Sequence, residues 1–127
     1  LIDRAVPANR RMGADPFDLL PKDELGVPQA DLNWWRANAP FLRLIDVRQP
    51  EEFTGALGHL PDAELVPLDT LTQAADDWGR EDPLLIVCRS GARSNRGAIA
   101  LRNMGFARVA NLMGGTAGWV RVQREQA

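Results

Sequence analysis

Three short apolar runs, Phe41–Val47, Leu84–Val87 and Val109–Leu112, constrain this chain more than any other feature. Their length and flanks mark them as strands buried on both faces. Leu84–Val87 lies directly behind Pro83, and a weaker strand is expected at Glu64–Val66. Helical stretches fall between the runs. Residues 29–39 read as a short helix with Leu32 and Trp35 on one face, stopped by Pro40. Trp34 and Trp35 read as packing residues. Pro50–Phe53 fits a helical turn, with Pro50 at its first position and Glu51 and Glu52 at its positive end. Gly55, Gly58 and Pro61 make the next stretch a loop. A helix over 69–78 would start at Asp69 or Thr70. A second over 94–104 turns Ala98 and Leu101 toward a core, and a third closes the chain over 116–124. Strands alternating with helices imply an α/β fold, a central parallel sheet with helices on both faces.

The first 28 residues have no period of either kind and are broken by Pro7, Pro16, Pro21 and Pro28. The expected organisation is an N-terminal arm or linker over 1–26 and one domain over 27–127, which suits a chain of 127 residues. It begins at Leu1 and not at a methionine, as a fragment or processed product would. Several classes are disfavoured. A single cysteine cannot form an internal disulfide, and with His59 the only histidine a structural zinc site is not expected. A net charge of −2 gives no bulk basic field for nucleic acid. No run of about 18 apolar residues is present to span a membrane, and residues 1–24 lack a signal-peptide pattern. The expectation is a cytoplasmic protein with no cofactor or metal.

The informative stretch is Cys88-Arg89-Ser90-Gly91-Ala92-Arg93-Ser94. It leaves the carboxyl end of a buried strand and enters a helix, where ligands of open α/β sheets gather. Such a loop can turn successive N–H groups inward as an anion nest, with the helix end adding partial positive charge. Gly91 supplies a bend, Arg89 and Arg93 two fixed charges, and Ser94 a plausible N-cap. All basic residues but Lys22 are arginine, the better partner for tetrahedral anions. A cysteine facing this cradle should ionise more readily than a free thiol. The alternative, a small core hydrophobe, fits poorly, because Cys88 ends the apolar run and begins a polar loop.

With these residues in view, the chain resembles the single-domain rhodaneses. Four blocks carry the resemblance over about residues 27–122: Asp46-Val47-Arg48 with Pro50-Glu51-Glu52-Phe53; Gly58-His59-Leu60-Pro61 with Ala63 and Pro67; Cys88 to Ser94; and Asn111-Leu112 with Gly114-Gly115 and Trp119. The resemblance implies a sulfurtransferase that takes sulfur from thiosulfate or a low-molecular-weight persulfide such as glutathione persulfide. Cys88 would carry it as a persulfide to a thiol, cyanide or protein acceptor. Arg89, Ser90, Gly91, Ala92, Arg93 and Ser94 would bind substrate, and Asp46 and Arg48 would brace the loop. His59 would be structural, and Gly114-Gly115 would set a turn before the last helix. The chain departs from the family at Asp62, usually glycine, and at Leu65, commonly polar; aspartate tolerates left-handed backbone better than most residues. Residues 2–13 resemble the tail of the metallo-β-lactamase-fold module in persulfide dioxygenase–rhodanese fusions, which implies such a module upstream.

Two other classes stay open. Cysteine phosphatases and arsenate reductases of this type of fold resemble Cys–x5–Arg loops; here the spacing is Cys–x4–Arg, with Arg93 following Cys88. A non-catalytic carrier or regulatory module would share the fold, although inactive relatives typically lack the cysteine that this chain retains.

Overall fold

The computed structural model describes residues 15–126. The stretch 2–13, compared above with a fusion linker, lies outside them. Five parallel strands, β1 (Gln29–Ala30), β2 (Arg43–Asp46), β3 (Glu64–Leu65), β4 (Leu84–Val87) and β5 (Val109–Leu112), form one sheet in the order β1-β5-β4-β2-β3. β4 is central and all of it is buried. Its side chains alternate between two apolar clusters, one on each face. Leu84, Ile86 and then Cys88 join Ile45, Leu71, Ala98 and Leu101. Leu85 and Val87 join Leu44, Trp35, Ala110 and Leu112. Each large apolar side chain so buried contributes roughly 1.5–3 kcal/mol. The loop after β4 therefore stands on the best-anchored strand of the sheet.

Helices α3 (Leu71–Ala74) and α4 (Ala92–Asn103) cover the first face through Leu71, Ala98 and Leu101. Helices α1 (Leu32–Asn38) and α5 (Gly115–Gln126) supply Trp35 and Trp119 to the second. The remaining helix, α2 (Pro50–Phe53), is one turn at the end of β2, closed by a capping box between Gln49 and Glu52. None of the helices is long and apolar enough to cross a membrane, among the described residues.

Several boundaries differ from expectation for local reasons. Gln29 and Ala30, read as the start of a helix, form β1 because they pair with Asn111 and Leu112. The helix starts after Asp31, whose carboxylate accepts from the Trp34 N–H at 2.8 Å. β2 begins at Arg43, because Pro40 sits in a 3₁₀ turn over Ala39–Phe41. The helix expected over 69–78 is three pieces: a 3₁₀ turn Leu68–Thr70, α3, and a 3₁₀ turn Ala75–Asp77. Neither Asp69 nor Thr70 caps it; the Thr70 hydroxyl donates back to the Pro67 carbonyl. Ser94 is not an N-cap. α4 starts at Ala92 behind Gly91, at φ +122°, where glycine alone is comfortable.

The lead-in was expected to be irregular. Its described part carries a 3₁₀ turn, Pro16–Leu19, and buries Phe17 and Leu20 in the second cluster. Phe17 meets Trp34 edge-on at 5.1 Å, and the Trp34 indole N–H donates to the Pro16 carbonyl. Asp62 takes φ +65°, the left-handed turn expected of an aspartate at that position.

Candidate active site

Cys88 leaves the end of β4 at 1% exposure. Its Sγ accepts from the Gly91 N–H at 3.1 Å and lies 3.2 Å from the Ser94 hydroxyl. The outside of the loop is pinned by the start of α5. Thr116 and Ala117 donate their N–H groups to the Cys88 and Arg89 carbonyls at 2.9 and 3.0 Å, and the Thr116 hydroxyl reaches the Cys88 carbonyl at 3.2 Å. With those carbonyls turned to α5, the N–H groups beyond them face the sulfur. This approach needs Gly115: a Cβ there would lie 2.5 Å from both carbonyl oxygens, and its φ is +58°. Gly114-Gly115 thus sets the turn before the last helix and also lets that helix dock on the loop.

Burial pushes the Cys88 thiol up. Hydrogen bonding from the Ser94 hydroxyl, and from the N–H groups of Ser94, Gly91 and Ser90, outweighs it and holds the thiol below its ordinary value. The two arginines were expected to share in that depression with the helix end and the inward N–H groups. They do not dominate it, for a geometric reason. Arg89 is exposed, and Arg93 is turned to Glu52, donating Nη1 and Nη2 to the two carboxylate oxygens at 2.7 and 2.9 Å. Arg93 still feels the sulfur as a Coulombic partner. Its guanidinium in turn holds the Glu52 carboxyl at about 2, below the ordinary 4.5.

Asp46 and Arg48 are fully buried and paired. Arg48 Nε and Nη2 donate to the Asp46 carboxylate at 3.0 and 2.8 Å, and the Arg48 N–H donates to the same group. The guanidinium also donates to the Glu52 and Gly58 carbonyls at 3.3 and 2.7 Å. The pair therefore ties the end of β2 to both sides of the following loop, and neither member makes a hydrogen bond to Cys88. His59 stacks on Phe53 at 3.7 Å and its Nδ1 lies 3.0 Å from the Phe53 carbonyl, which accounts for the ring structurally.

Sequence reasoning missed four residues around the loop. Glu52, read as a helix-end charge and as part of the first resemblance block, is the partner of Arg93. Thr116 binds the loop from α5. Asn111 accepts from the Ser94 hydroxyl at 2.5 Å, and Gln29 accepts from Asn111 at 2.9 Å. Asn111 stands out in the sequence as the one polar residue inside an otherwise apolar strand. Two clefts flank the loop and share Leu57 and Arg89: one of about 430 Å³ that adds Arg121 and Arg124, and one of about 280 Å³ bordered by Arg48 and Glu52.

Comparisons with known proteins identify the family and the fold. The chain is similar to protein YqhL of Bacillus subtilis, 38% identical over 85 residues, which are 67% of this chain and 66% of that protein. A sulfurtransferase of Allochromatium vinosum is 37% identical over 85 residues, 67% of this chain and 78% of its own. Among solved structures, the human single-domain sulfurtransferase TSTD1 superposes with a TM-score of 0.69 at 26% identity, over 76% of this chain and 97% of its own. The model of the rhodanese-like domain matches residues 29–122, a stretch that runs from β1 into α5 and holds the whole Cys88 loop, so the chain belongs to the rhodanese-like family, which has sulfurtransferases among its members.

Proposed function

We propose that the chain is a sulfurtransferase that carries sulfane sulfur on Cys88, drawn from thiosulfate or a low-molecular-weight persulfide. The observation that carries this reading is the convergence of the Ser90, Gly91 and Ser94 N–H groups on a thiol held below its ordinary pKa. In the first half-reaction the Cys88 thiolate attacks the outer sulfur of the donor. The donor's S–S bond breaks and its electron pair leaves with the anionic fragment, sulfite when the donor is thiosulfate. Cys88 is left as Cys–S–S⁻, a covalent intermediate that divides one transfer into two. In the second, an acceptor thiolate or cyanide attacks the outer sulfur and Cys88 leaves again as thiolate. Residues Arg89, Ser90, Gly91, Ala92, Arg93 and Ser94 form the substrate cradle, fixed donors aimed where negative charge sits on donor and persulfide. Asp46 and Arg48 brace it. Arg89, Arg121 and Arg124 line the larger cleft beside a single carboxylate, Glu125, and this net positive lining favours anionic donors.

A cytoplasmic setting, where thiols stay reduced, suits a free Cys88. Phosphatase chemistry is disfavoured by the Cys–x4–Arg spacing, and by Arg93 being turned to Glu52. A metallo-β-lactamase-fold module upstream, implied by the resemblance of residues 2–13, would pass persulfide to the same cysteine. The coding sequence ahead of Leu1 tests that part.

The test is intact mass after incubation with thiosulfate or glutathione persulfide in the absence of acceptor. The expected product is an adduct of roughly +32 Da on Cys88, one sulfur atom, which disappears on addition of cyanide or a thiol. Cys88→Ser should show neither adduct nor turnover while keeping its circular dichroism. Sulfur transfer retained by Cys88→Ser would overturn the reading. A stable fold with no adduct from either donor would favour the non-catalytic module.

A further inference from the structure

Ser94's hydroxyl has one proton and three acceptors around it: the Cys88 sulfur at 3.2 Å, the Gly91 carbonyl at 3.2 Å and Asn111 Oδ1 at 2.5 Å. Which acceptor holds the proton is decided by a row of side chains that ends far from the sulfur in sequence. Asn111 Nδ2 donates to Gln29 Oε1 at 2.9 Å, Gln29 Nε2 donates to Asn95 Oδ1 at 2.8 Å, and Asn95 Nδ2 donates to Asp23 Oδ2 at 2.9 Å. Asp23 lies in the lead-in, outside the family match over 29–122.

The direction of this row follows from chemistry at its far end. The other Asp23 oxygen, Oδ1, accepts the Leu25 and Val27 N–H groups at 3.0 and 2.9 Å. Those bonds, with the one from Asn95, favour the carboxylate, which only accepts. Asn95 must then present its NH₂ to Asp23 and its oxygen to Gln29. Gln29 must answer with its own NH₂, which also reaches the Val27 carbonyl at 3.2 Å, a second constraint of the same sign. The Gln29 oxygen then faces Asn111, whose NH₂ meets it, and the Asn111 oxygen is left facing Ser94. Two acceptors would stand 2.5 Å apart unless Ser94 donates to Asn111.

We infer that Asp23 is a positioning residue for Cys88: through Asn95, Gln29 and Asn111 it draws the Ser94 proton toward the amide row, so that the hydroxyl's bond to the sulfur is weakened and reaches full strength only when the row's last bond opens. The row thus works as a brake on the hydroxyl's help, while the Gly91 and Ser90 N–H groups act on the sulfur unhindered. The other charged groups near Cys88 do not run through the row. Arg93 interacts with the sulfur from α4 and is paired with Glu52 of α2. Asp46 and Arg48 at the end of β2 are paired with each other, Arg89 of the loop is exposed, and α5 brings the uncharged Thr116.

The test reads ionisation and not turnover. It rests on Cys88 being the reacting thiol, but it can fail while sulfur transfer stands, and can succeed in a protein that transfers no sulfur. The rate of iodoacetamide alkylation of Cys88 is followed against pH in the full chain. Asp23→Asn keeps an oxygen for Leu25 and Val27 and adds a donor, so Asn95 can turn over and only the Val27 carbonyl then opposes reversal of the row. Asn111→Leu removes its last acceptor outright. Both should move the alkylation midpoint to lower pH. Well below the midpoint both should react about three to ten times faster than wild type, the worth of one ordinary hydrogen bond. In a Ser94→Ala background Asp23→Asn should have no effect. The inference is overturned if Asp23→Asn, folded by circular dichroism, keeps or raises the wild-type midpoint, whatever Asn111→Leu does, or if the Asp23→Asn shift survives without the Ser94 hydroxyl.

Discussion

The loop after β2 and the loop after β4 leave neighbouring parallel strands at the same end of the sheet, and each runs into the start of a helix. They are held by different means. After β2 the fixing groups are charged side chains: Asp46 and Arg48 neutralise each other in full burial, and Arg48 reaches on to the Glu52 and Gly58 carbonyls. After β4 the side chains of Arg89 and Ser90 are left in solvent, while main-chain N–H groups close on the sulfur and α5 holds the loop from behind. A loop whose charges are already paired offers little to an incoming anion. A loop made of inward N–H groups offers a great deal, and its net positive field is not cancelled from within. The β2 loop also ties the Arg93 guanidinium, at the edge of the cradle, to Glu52. The contrast is therefore one of division: one loop is satisfied internally so that the other can stay open.

The sharpest way to break the comparison is Arg48→Ala. It strands a buried Asp46 carboxylate whose guanidinium partner is gone. Breaking a buried pair from one side is worth about 3–5 kcal/mol, and urea unfolding should show a loss of that size. A loss under about 1 kcal/mol would mean that water or another cation replaces Arg48, and that the β2 loop is not internally satisfied in the sense argued here.

Gly115→Ala attacks the other loop. The added methyl would overlap the Cys88 and Arg89 carbonyls, and both are backbone, so the first turn of α5 has to withdraw. Overpacking of this kind costs about 1–3 kcal/mol. The stability loss should come with slower alkylation of Cys88 at neutral pH, because loosening the Thr116 and Ala117 bonds lets the N–H groups drift from the sulfur. A stability loss with unchanged alkylation would separate the pinning by α5 from the activation of the thiol.

These two loops differ in how much of them the sequence discloses. β4 and β5 have the bounds read from their apolar runs, because a strand buried on both faces leaves no ambiguity of period. The Cys88 loop was legible because its ingredients are consecutive. What was not legible depends on partners far apart in the chain. Ser94 carries the usual mark of an N-cap, yet its hydroxyl is claimed by Cys88 and by Asn111, 17 residues away. Gln29 meets Asn111 across 82 residues and Asn95 across 66. β1 exists only because β5 is beside it. Arg93 was read as a fixed charge of the cradle, since nothing local says that Glu52, 41 residues earlier, will meet it.

Glu52→Gln tests that last contact with a smaller effect. It keeps an oxygen for the Gln49 N–H and removes the charge opposite Arg93. Arg93 then acts on the sulfur uncompensated, so Cys88 alkylation below its midpoint should quicken about two- to fivefold, as befits a pair that is about one-third exposed. The pair also predicts a pH dependence. The Glu52 carboxyl is lowered from 4.5 to about 2 in the folded chain, so its contribution is complete above 4.5 and is lost as pH falls toward 2. Wild type and Glu52→Gln should therefore converge in stability at the acid end and differ most above pH 5. A difference that grows on acidification would contradict the pairing.

The smallest expected effect sharpens the comparison by asking how finely the connection from β2 to β3 is specified. Asp62 is exposed there at φ +65°. A left-handed backbone costs an ordinary residue about 1–2 kcal/mol, and aspartate less. Glycine would remove that strain but give about 0.5–1 kcal/mol back to the unfolded chain. Asp62→Gly should therefore shift stability by no more than about 0.5 kcal/mol, with sulfur transfer and Cys88 alkylation unchanged. Asp62→Val, which keeps the backbone demand and loses aspartate's tolerance, should lose more than 1 kcal/mol, since a β-branched residue fits the left-handed region worst. If the two variants behave alike, position 62 leaves the left-handed region at little cost and the connection is not held there. A loss of the expected size means that the turn is held at this φ from outside, and the group in place to do so is Arg48, whose bond to the Gly58 carbonyl reaches into this same connection. The buried ion pair then extends its hold from the end of β2 toward β3, and the internally satisfied loop is longer than its charged residues alone indicate.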